Sequence, residues 1–159
     1  MRPLVAVFDV DGTLLRGDSL WLAARRSQGP IGRFFAALAC LPWLIGWQLK
    51  LVSTARFKQQ AMTAFQICEP FNRAEAHVLG ESDWLMELRG QLRPEALERL
   101  RWHQDRGDRV LLCSASPRML LQPLADWLGV ELLCTELLQS DGYWQPTLAS
   151  TNCKGPEKV

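Results

Sequence analysis

The hydrophobic positions of the chain change their spacing several times along its length. Residues 4–8 form a continuous apolar run with β-branched members, which predicts a strand covered on both faces. From about residue 15 to residue 90 the apolar positions recur at helical spacing, and this pattern predicts a series of helices. The breaks in that series fall at Gly29-Pro30, Ser53-Thr54 and Glu69-Pro70.

The second half of the chain alternates between helical and extended patterns. Proline at helix starts, glycine at helix ends and polar turn residues mark the boundaries. The predicted elements are a helix from Pro94 to Gly107, a strand at 110–113, a helix with Ser116 as N-cap, Pro117 as first residue and Gly129 as its end, a strand at 131–138 and a hairpin turn at 140–142.

One strand, a long helical stretch and then alternating strands and helices is the element order of an α/β fold. We therefore predict a Rossmann-like parallel sheet with an α-helical domain inserted after the first strand. On this prediction residues 1–14 and 91–159 form the core, and residues 15–90 form the helical insertion.

The most apolar part of the insertion is residues 34–49, which contain no charged side chain. A helix of these 16 residues is roughly 24 Å long, which is shorter than the ~30 Å hydrocarbon layer of a bilayer. Two interpretations stay open. The segment is either a buried helix of a small bundle or a segment that contacts a membrane surface, with Trp43 and Trp47 near the headgroups.

Polar residues follow both apolar strands directly. Asp9 and Asp11 come after the first strand, and Ser114 comes after the second. Ligands of open α/β sheets bind beyond the carboxyl ends of the strands, so these side chains are candidates for one site. One carboxylate can attack phosphorus and the other can carry a proton to the leaving oxygen and from the attacking water.

The residues around the two carboxylates suit the same chemistry. Gly12 permits a sharp turn, and Thr13 can hydrogen-bond across it. Two acids beside a phosphate repel each other, which favours a divalent cation, and Mg²⁺ is the ion that prefers oxygen ligands. Ser114, placed before a helix N-terminus, is expected to bind phosphoryl oxygens. Lys154 or Lys158 is expected to neutralise the transition state.

Charge and cysteine content exclude other classes. The formal net charge of +1 gives no reason to expect nucleic acid as a partner. The five cysteines show no C-x-x-C spacing, and Cys113 and Cys134 lie in apolar runs. This usage favours a reducing cytoplasm over a disulfide-stabilised secreted setting.

The motifs resemble those of the haloacid dehalogenase superfamily, in its phosphoserine-phosphatase-like branch with a helical cap. Residues 8–14, with the sequence FDVDGTL, resemble the first motif; residues 111–117, LLCSASP, resemble the second; and residues 152–159 resemble the approach to the third. The similarity spans the whole chain, but only the motifs are specific.

The resemblance implies a role for each motif residue. Asp9 would be nucleophile and metal ligand, and Asp11 would be the general acid/base that also contacts the metal through its backbone carbonyl. Ser114 would bind the phosphoryl group together with the neighbouring Ala115. Lys158, favoured over Lys154, would hold nucleophile and phosphate together.

The resemblance further implies Mg²⁺-dependent hydrolysis of a phosphomonoester, either a small phosphorylated metabolite or a lipid phosphate, through an aspartyl-phosphate. Thr13 and Asp18 are expected at the substrate. Met62 falls where the phosphoserine phosphatases have an arginine, which argues against phosphoserine. An acidic fourth motif of the Asp-Gly-x-x-Asp type is absent from the sequence. The chain is therefore expected to be truncated and, by itself, weakly active or inactive.

Two alternatives remain at this point. A phosphotransferase of the same family would pass the phosphoryl group from Asp9 to an alcohol instead of water. A non-catalytic module that binds a membrane or a partner would explain the absent fourth motif. The intact Asp9, Asp11, Thr13 and Ser114 argue against the second alternative.

Overall fold

The computed structural model describes residues 4–72 and 80–149, and the side chains of residues 80–82 are not part of that description. Three strands form a parallel sheet in the order β1-β2-β3, with β1 at Val5–Asp9, β2 at Arg109–Pro117 and β3 at Glu131–Thr135. The predicted α/β class with a parallel sheet is confirmed.

Seven helices accompany the sheet in the described part of the chain. They are α1 (Ser19–Ser27), α2 (Pro30–Gln48), α3 (Thr54–Ala64), α4 (Glu69–Asn72), α5 (Gly80–Gly90), α6 (Pro94–Asp105) and α7 (Arg118–Leu128). The first six lie between β1 and β2, as the helical spacing predicts. Asp18 and Ser53 cap α1 and α3 with their side chains, and Gly129 ends α7 in the left-handed conformation.

The predicted strand over residues 131–138 is wrong, because two strands in different sheets occupy it. β3 pairs with β2, whereas β4 (Leu137–Ser140) pairs in antiparallel orientation with β5 (Tyr143–Leu148). The predicted hairpin turn is present, with positive φ at Asp141 and Gly142. An apolar run cannot show where a chain leaves one sheet for another, because the pairing partner is remote in sequence.

The start of α7 also differs from the prediction. The helix begins at Arg118, and Pro117 rather than Ser116 occupies the N-cap position. β2 continues through Ser114 and Ser116, although its pairing with β3 shifts register between Cys113 and Pro117. The Ser116 hydroxyl is therefore available for a contact elsewhere.

The core is continuous between the sheet and the helical insertion. α7 buries Leu120, Leu121 and Leu124 completely. Trp84 of α5 is also fully buried, and its indole N–H donates to the Leu120 carbonyl oxygen at 2.7 Å. A backbone bridge between Leu15 and Leu92 joins the two ends of the insertion. The division at residues 14 and 91 stays a prediction.

α2 is not the buried helix that one interpretation of residues 34–49 expects. Only 11% of the most apolar 18-residue stretch of α2 is buried. Phe34, Phe35 and Ile45 are all more than half exposed. Trp47 faces the opposite way: it stacks on Phe57 at 5.6 Å and donates its indole N–H to Thr54 Oγ1 at 3.2 Å. Trp47 therefore packs α2 onto α3 and does not point outward.

Asp108 ties the start of β2 to the N-terminal segment. Its carboxylate accepts the Leu4 backbone N–H at 3.1 Å, lies 2.8 Å from His103 Nδ1, and lies 3.3 Å from Arg106 Nε. The hydrogen bond with His103, that from Leu4 and the charge of Arg106 lower the pKa of Asp108 below its ordinary value.

We expect Asp108→Asn to destabilise the fold at neutral pH and to lose this effect in acid. A carboxylate with a depressed folded-state pKa stabilises the fold above its unfolded pKa of about 4, and this contribution disappears as the pH falls through the lower folded value. Urea unfolding of both proteins across this pH range measures the difference. The exposed Asp105→Asn is the matched control, and a deficit that does not change with pH would contradict the explanation.

Candidate active site

The segment after β1 turns back sharply at residues 10–14. Val10 and Leu14 are fully buried and anchor the turn, while the Leu15 N–H donates to the Val10 carbonyl oxygen at 2.8 Å. Gly12 has a φ of 77°, a region that side chains with a Cβ rarely adopt. The anchored turn leaves the side chains of Asp9, Asp11 and Thr13 in partly or fully accessible positions.

Asp9 lies at the last position of β1, opposite Cys113 in the parallel register. Thr13 donates its hydroxyl hydrogen to Asp9 Oδ2 at 3.1 Å, so the predicted hydrogen bond across the turn is present. The carboxylate is half-buried. The hydrogen bond from Thr13 therefore constrains the orientation of the Asp9 carboxylate at the strand end.

Three hydrogen bonds orient the carboxylate of Asp11. Its Oδ1 accepts the Ser19 backbone N–H at 2.8 Å, from the first turn of α1. Its Oδ2 accepts the hydroxyls of Ser114 at 2.8 Å and of Ser116 at 2.7 Å. One carboxylate therefore joins the loop after β1, the helical insertion and the end of β2.

Sequence reasoning assigned Ser116 to a helix cap and missed its contact with Asp11. Ser114 and Ser116 are two residues apart in an extended segment, so their side chains share one face. The Ser116 backbone N–H also donates to Ser114 Oγ at 3.0 Å. The Ser-x-Ser spacing at a strand end was the available signal.

Ser114 is only 1% exposed, and its single hydroxyl hydrogen is directed to Asp11. A phosphoryl oxygen can accept that hydrogen only if the bond to Asp11 is exchanged. Ser114 also lies four residues before α7, inside β2, rather than immediately before a helix. The predicted use of the helix dipole at Ser114 therefore lacks a geometric basis.

Ala115 lies where the insertion meets the core. Its carbonyl oxygen accepts Lys58 Nζ of α3 at 2.8 Å and the Thr135 hydroxyl at 2.9 Å. Lys58 thus brings a positive charge from the insertion to the strand end that carries Ser114 and Ser116. The sequence offered no signal for this contact, because 57 residues separate the two partners.

The remaining predicted site residues divide into two groups. Asp18 is exposed and uses Oδ1 to accept the Trp21 backbone N–H at 2.9 Å, as the N-cap of α1. Lys154 and Lys158 lie outside the described residues.

The donor atoms at the site suit Mg²⁺ in kind. Asp9 supplies carboxylate oxygens and Asp11 a backbone carbonyl oxygen, which are the hard ligands that this ion prefers. Over residues 4–72 and 80–149 no three acidic, histidine or cysteine side chains cluster as a metal site. The described residues therefore offer part of a coordination set for this ion.

Comparison with known proteins agrees with this geometry. The family model of haloacid dehalogenase-like hydrolases matches residues 6–159. Protein CicA of Caulobacter vibrioides is 32% identical over 167 residues, which cover 99% of this chain and 70% of CicA.

Solved structures show the same fold. A protein of unknown function from Bordetella pertussis Tohama I matches with a TM-score of 0.75 and 19% identity, over 96% of this chain and 69% of its own. A probable phosphoserine phosphatase from Vibrio cholerae matches with a TM-score of 0.65 and 12% identity, over 99% of this chain and 44% of its own.

The fold and the paired carboxylates define a phosphatase-like α/β hydrolase. The chain belongs to the haloacid dehalogenase-like hydrolase family. Its fold is that of the phosphoserine-phosphatase-like branch, and the predicted resemblance is confirmed.

We expect Ser116→Ala to lower kcat of the full-length enzyme about tenfold while KM changes little. The substitution removes one of three hydrogen bonds that orient Asp11, and a hydrogen bond to a charged group contributes about 1.5 kcal/mol, which corresponds to about tenfold in rate. Steady-state kinetics with p-nitrophenyl phosphate measure the effect. Ser140→Ala, in the exposed hairpin, is the control. An unchanged kcat at an unchanged melting temperature would show that Ser116 does not position Asp11.

Proposed function

We propose that this protein hydrolyses phosphate monoesters through an aspartyl-phosphate on Asp9. The observation that carries the proposal is the pair of carboxylates that follows β1, each of them oriented by hydrogen bonds. Thr13 donates to Asp9 at the strand end, and Ser19, Ser114 and Ser116 donate to Asp11. In such a pair the first carboxylate can act as the nucleophile and the second as the group that transfers protons.

In the proposed reaction an oxygen of Asp9 forms a bond to phosphorus, and the ester oxygen leaves with a proton from Asp11. Water then attacks the same phosphorus after Asp11 has accepted one of its protons, and the bond to Asp9 breaks. Ser114 and the backbone of Ala115 would hold the phosphoryl oxygens. Lys158, favoured over Lys154, would neutralise the charge that develops on them.

Mg²⁺ is the proposed cofactor, and it would supply charge neutralisation between the phosphate and the carboxylates. Asp9 would bind it through the side chain and Asp11 through the backbone carbonyl oxygen.

The substrate is proposed to be a small phosphorylated metabolite or a lipid phosphate. Thr13 and the carboxylate of Asp18 would face the substrate. Phosphoserine is disfavoured, because Met62 is only 1% exposed and offers no charge for a substrate carboxylate.

We place the protein in the cytoplasm, with residues 34–49 in contact with a membrane surface. Four cysteines of the described chain are buried, and buried thiols are common in proteins of a reducing compartment: Cys40, Cys68, Cys113 and Cys134. The exposure of the apolar side chains of α2 supports the membrane contact.

We expect hydrolysis of p-nitrophenyl phosphate to require Mg²⁺ and to fall about a thousandfold or more in Asp9→Asn, because the amide is not a nucleophile. The assay compares this chain with a version extended through the downstream reading frame. Asp141→Asn, at the exposed hairpin turn, is the matched control. Full activity of Asp9→Asn would overturn the mechanism.

The same assay tests the alternatives. Added acceptor alcohols that receive the phosphoryl group would identify a phosphotransferase. The exposed face of α2 favours a membrane-binding module as the second candidate function. Folded protein that binds vesicles but shows no activity in any version would support that candidate instead.

A further inference from the structure

The outward face of α2 is a continuous apolar stripe. Six large side chains follow the 3.6-residue period along it, and they are between 46% and 76% exposed: Ile31, Phe34, Phe35, Leu38, Leu41 and Ile45. The inward face carries Ala36 and Cys40, which are buried, and Trp47, which packs on α3. α2 is thus apolar on both faces, and only one of them has a partner in the described structure.

The charges around this stripe are of one sign. Residues 19–68 contain six of the chain's 18 lysines and arginines and none of its 17 aspartates and glutamates. The rest of the chain therefore carries an excess of acidic residues, although the net charge of the whole is only +1. The net charge of the whole chain is close to zero, but residues 19–68 of the insertion are both basic and apolar.

Four of the six cations flank the stripe rather than serve the interior. Arg26 pairs with Asp83 and Glu87 of α5, and Lys58 reaches Ala115. The other four lie near the two ends of α2 along the chain, Arg25 and Arg33 near its start and Lys50 and Arg56 after its end. An apolar stripe between cations is the pattern of a helix that binds an anionic bilayer surface.

A second copy of this chain fits the surface poorly. If two such faces met, the four flanking cations of each copy would find no acidic residue within residues 19–68 of the other. Like charges brought together in this way repel, whereas an anionic lipid surface supplies the missing opposite charge.

The topology of the sheet decides how α2 meets the bilayer. In the described part of the chain α2 is the one helix long and apolar enough to cross a membrane, by length and composition alone. A single crossing would place β1 and β2 on opposite sides, because one precedes α2 and the other follows it. The two strands pair directly from Val5 with Arg109 to Asp9 with Cys113. A single crossing of the bilayer by α2 is therefore incompatible with the pairing of β1 and β2.

We propose that the insertion docks on anionic lipid bilayers with α2 lying in the plane of the interface, its apolar stripe inserted and its flanking cations on the headgroups. This inference rests on the proposed function in one respect: it names a lipid surface as the partner of the proposed active site. α2 packs on α3, and α3 carries Lys58 to the strand end at the active site. Docking therefore places the site one helix away from the headgroups.

The test is sedimentation of the full-length protein with vesicles of phosphatidylcholine alone and of phosphatidylcholine mixed with phosphatidylglycerol. We expect binding to the mixed vesicles, weakened by salt, and much less to the neutral ones. The double variant Phe34→Ser/Ile45→Ser should lower the partition coefficient about tenfold or more. Lys50→Gln/Arg56→Gln should lower it about fivefold per charge on mixed vesicles only.

Controls separate this result from misfolding and from the enzymatic proposal. Met86→Ser removes an equally exposed apolar side chain from α5 and should leave binding unchanged. Hydrolysis of soluble p-nitrophenyl phosphate reports on Asp9 independently of vesicle binding. An alkaline carbonate wash should release the bound protein, since α2 does not cross the bilayer.

Four outcomes would overturn the proposal. They are the absence of vesicle binding, equal binding by Phe34→Ser/Ile45→Ser, resistance to the carbonate wash, and a soluble dimer that this double variant dissociates. The last outcome would make a second copy the occupant of the stripe.

Discussion

The parallel pairing of β1 with β2 is the constraint on which the rest of the structure depends. The two strands are about a hundred residues apart in sequence, yet Asp9 lies opposite Cys113 at their carboxyl ends. This register puts the loop that carries Asp11 beside the strand end that carries Ser114. The backbone bridge between Leu15 and Leu92 joins the two ends of the helical insertion. Both the site and the orientation of α2 follow from that closure.

Asp11 links the elements that this pairing brings together. Its two oxygens collect donors from α1 and from the end of β2, so the carboxylate keeps a single orientation only while both elements are in place. Lys58 adds a second connection between insertion and core at Ala115, one residue from both serines. The site is therefore built jointly by the two parts of the chain. A displacement of the insertion would break the hydrogen bond from Ser19 that orients Asp11.

The insertion combines two surfaces that usually occur in different proteins. Its inner side packs in the ordinary way, with Trp47 on Phe57 and Trp84 in the core under Leu120. Its outer side exposes large apolar side chains among cations. One interpretation of the sequence places Trp47 near the headgroups, but Trp47 packs on the inner side. Phe34 and Phe35 lie on the outer side. Hydropathy alone cannot make this distinction, because both faces of α2 are apolar.

The sequence by itself determined the features that depend on neighbours in the chain. These include the strand before Asp9, the turn at Gly12 with its Thr13 hydrogen bond, the break before α3 at Ser53-Thr54 and the end of α7 at Gly129. Only the tertiary structure decided that residues 131–138 divide between two sheets, that Ser116 binds Asp11 and that α2 shows its phenylalanines to the outside. The physical reason is the range of the forces involved. Caps and turns are satisfied within a few residues, whereas pairing, burial and long-range hydrogen bonds depend on which distant surfaces meet when the chain closes.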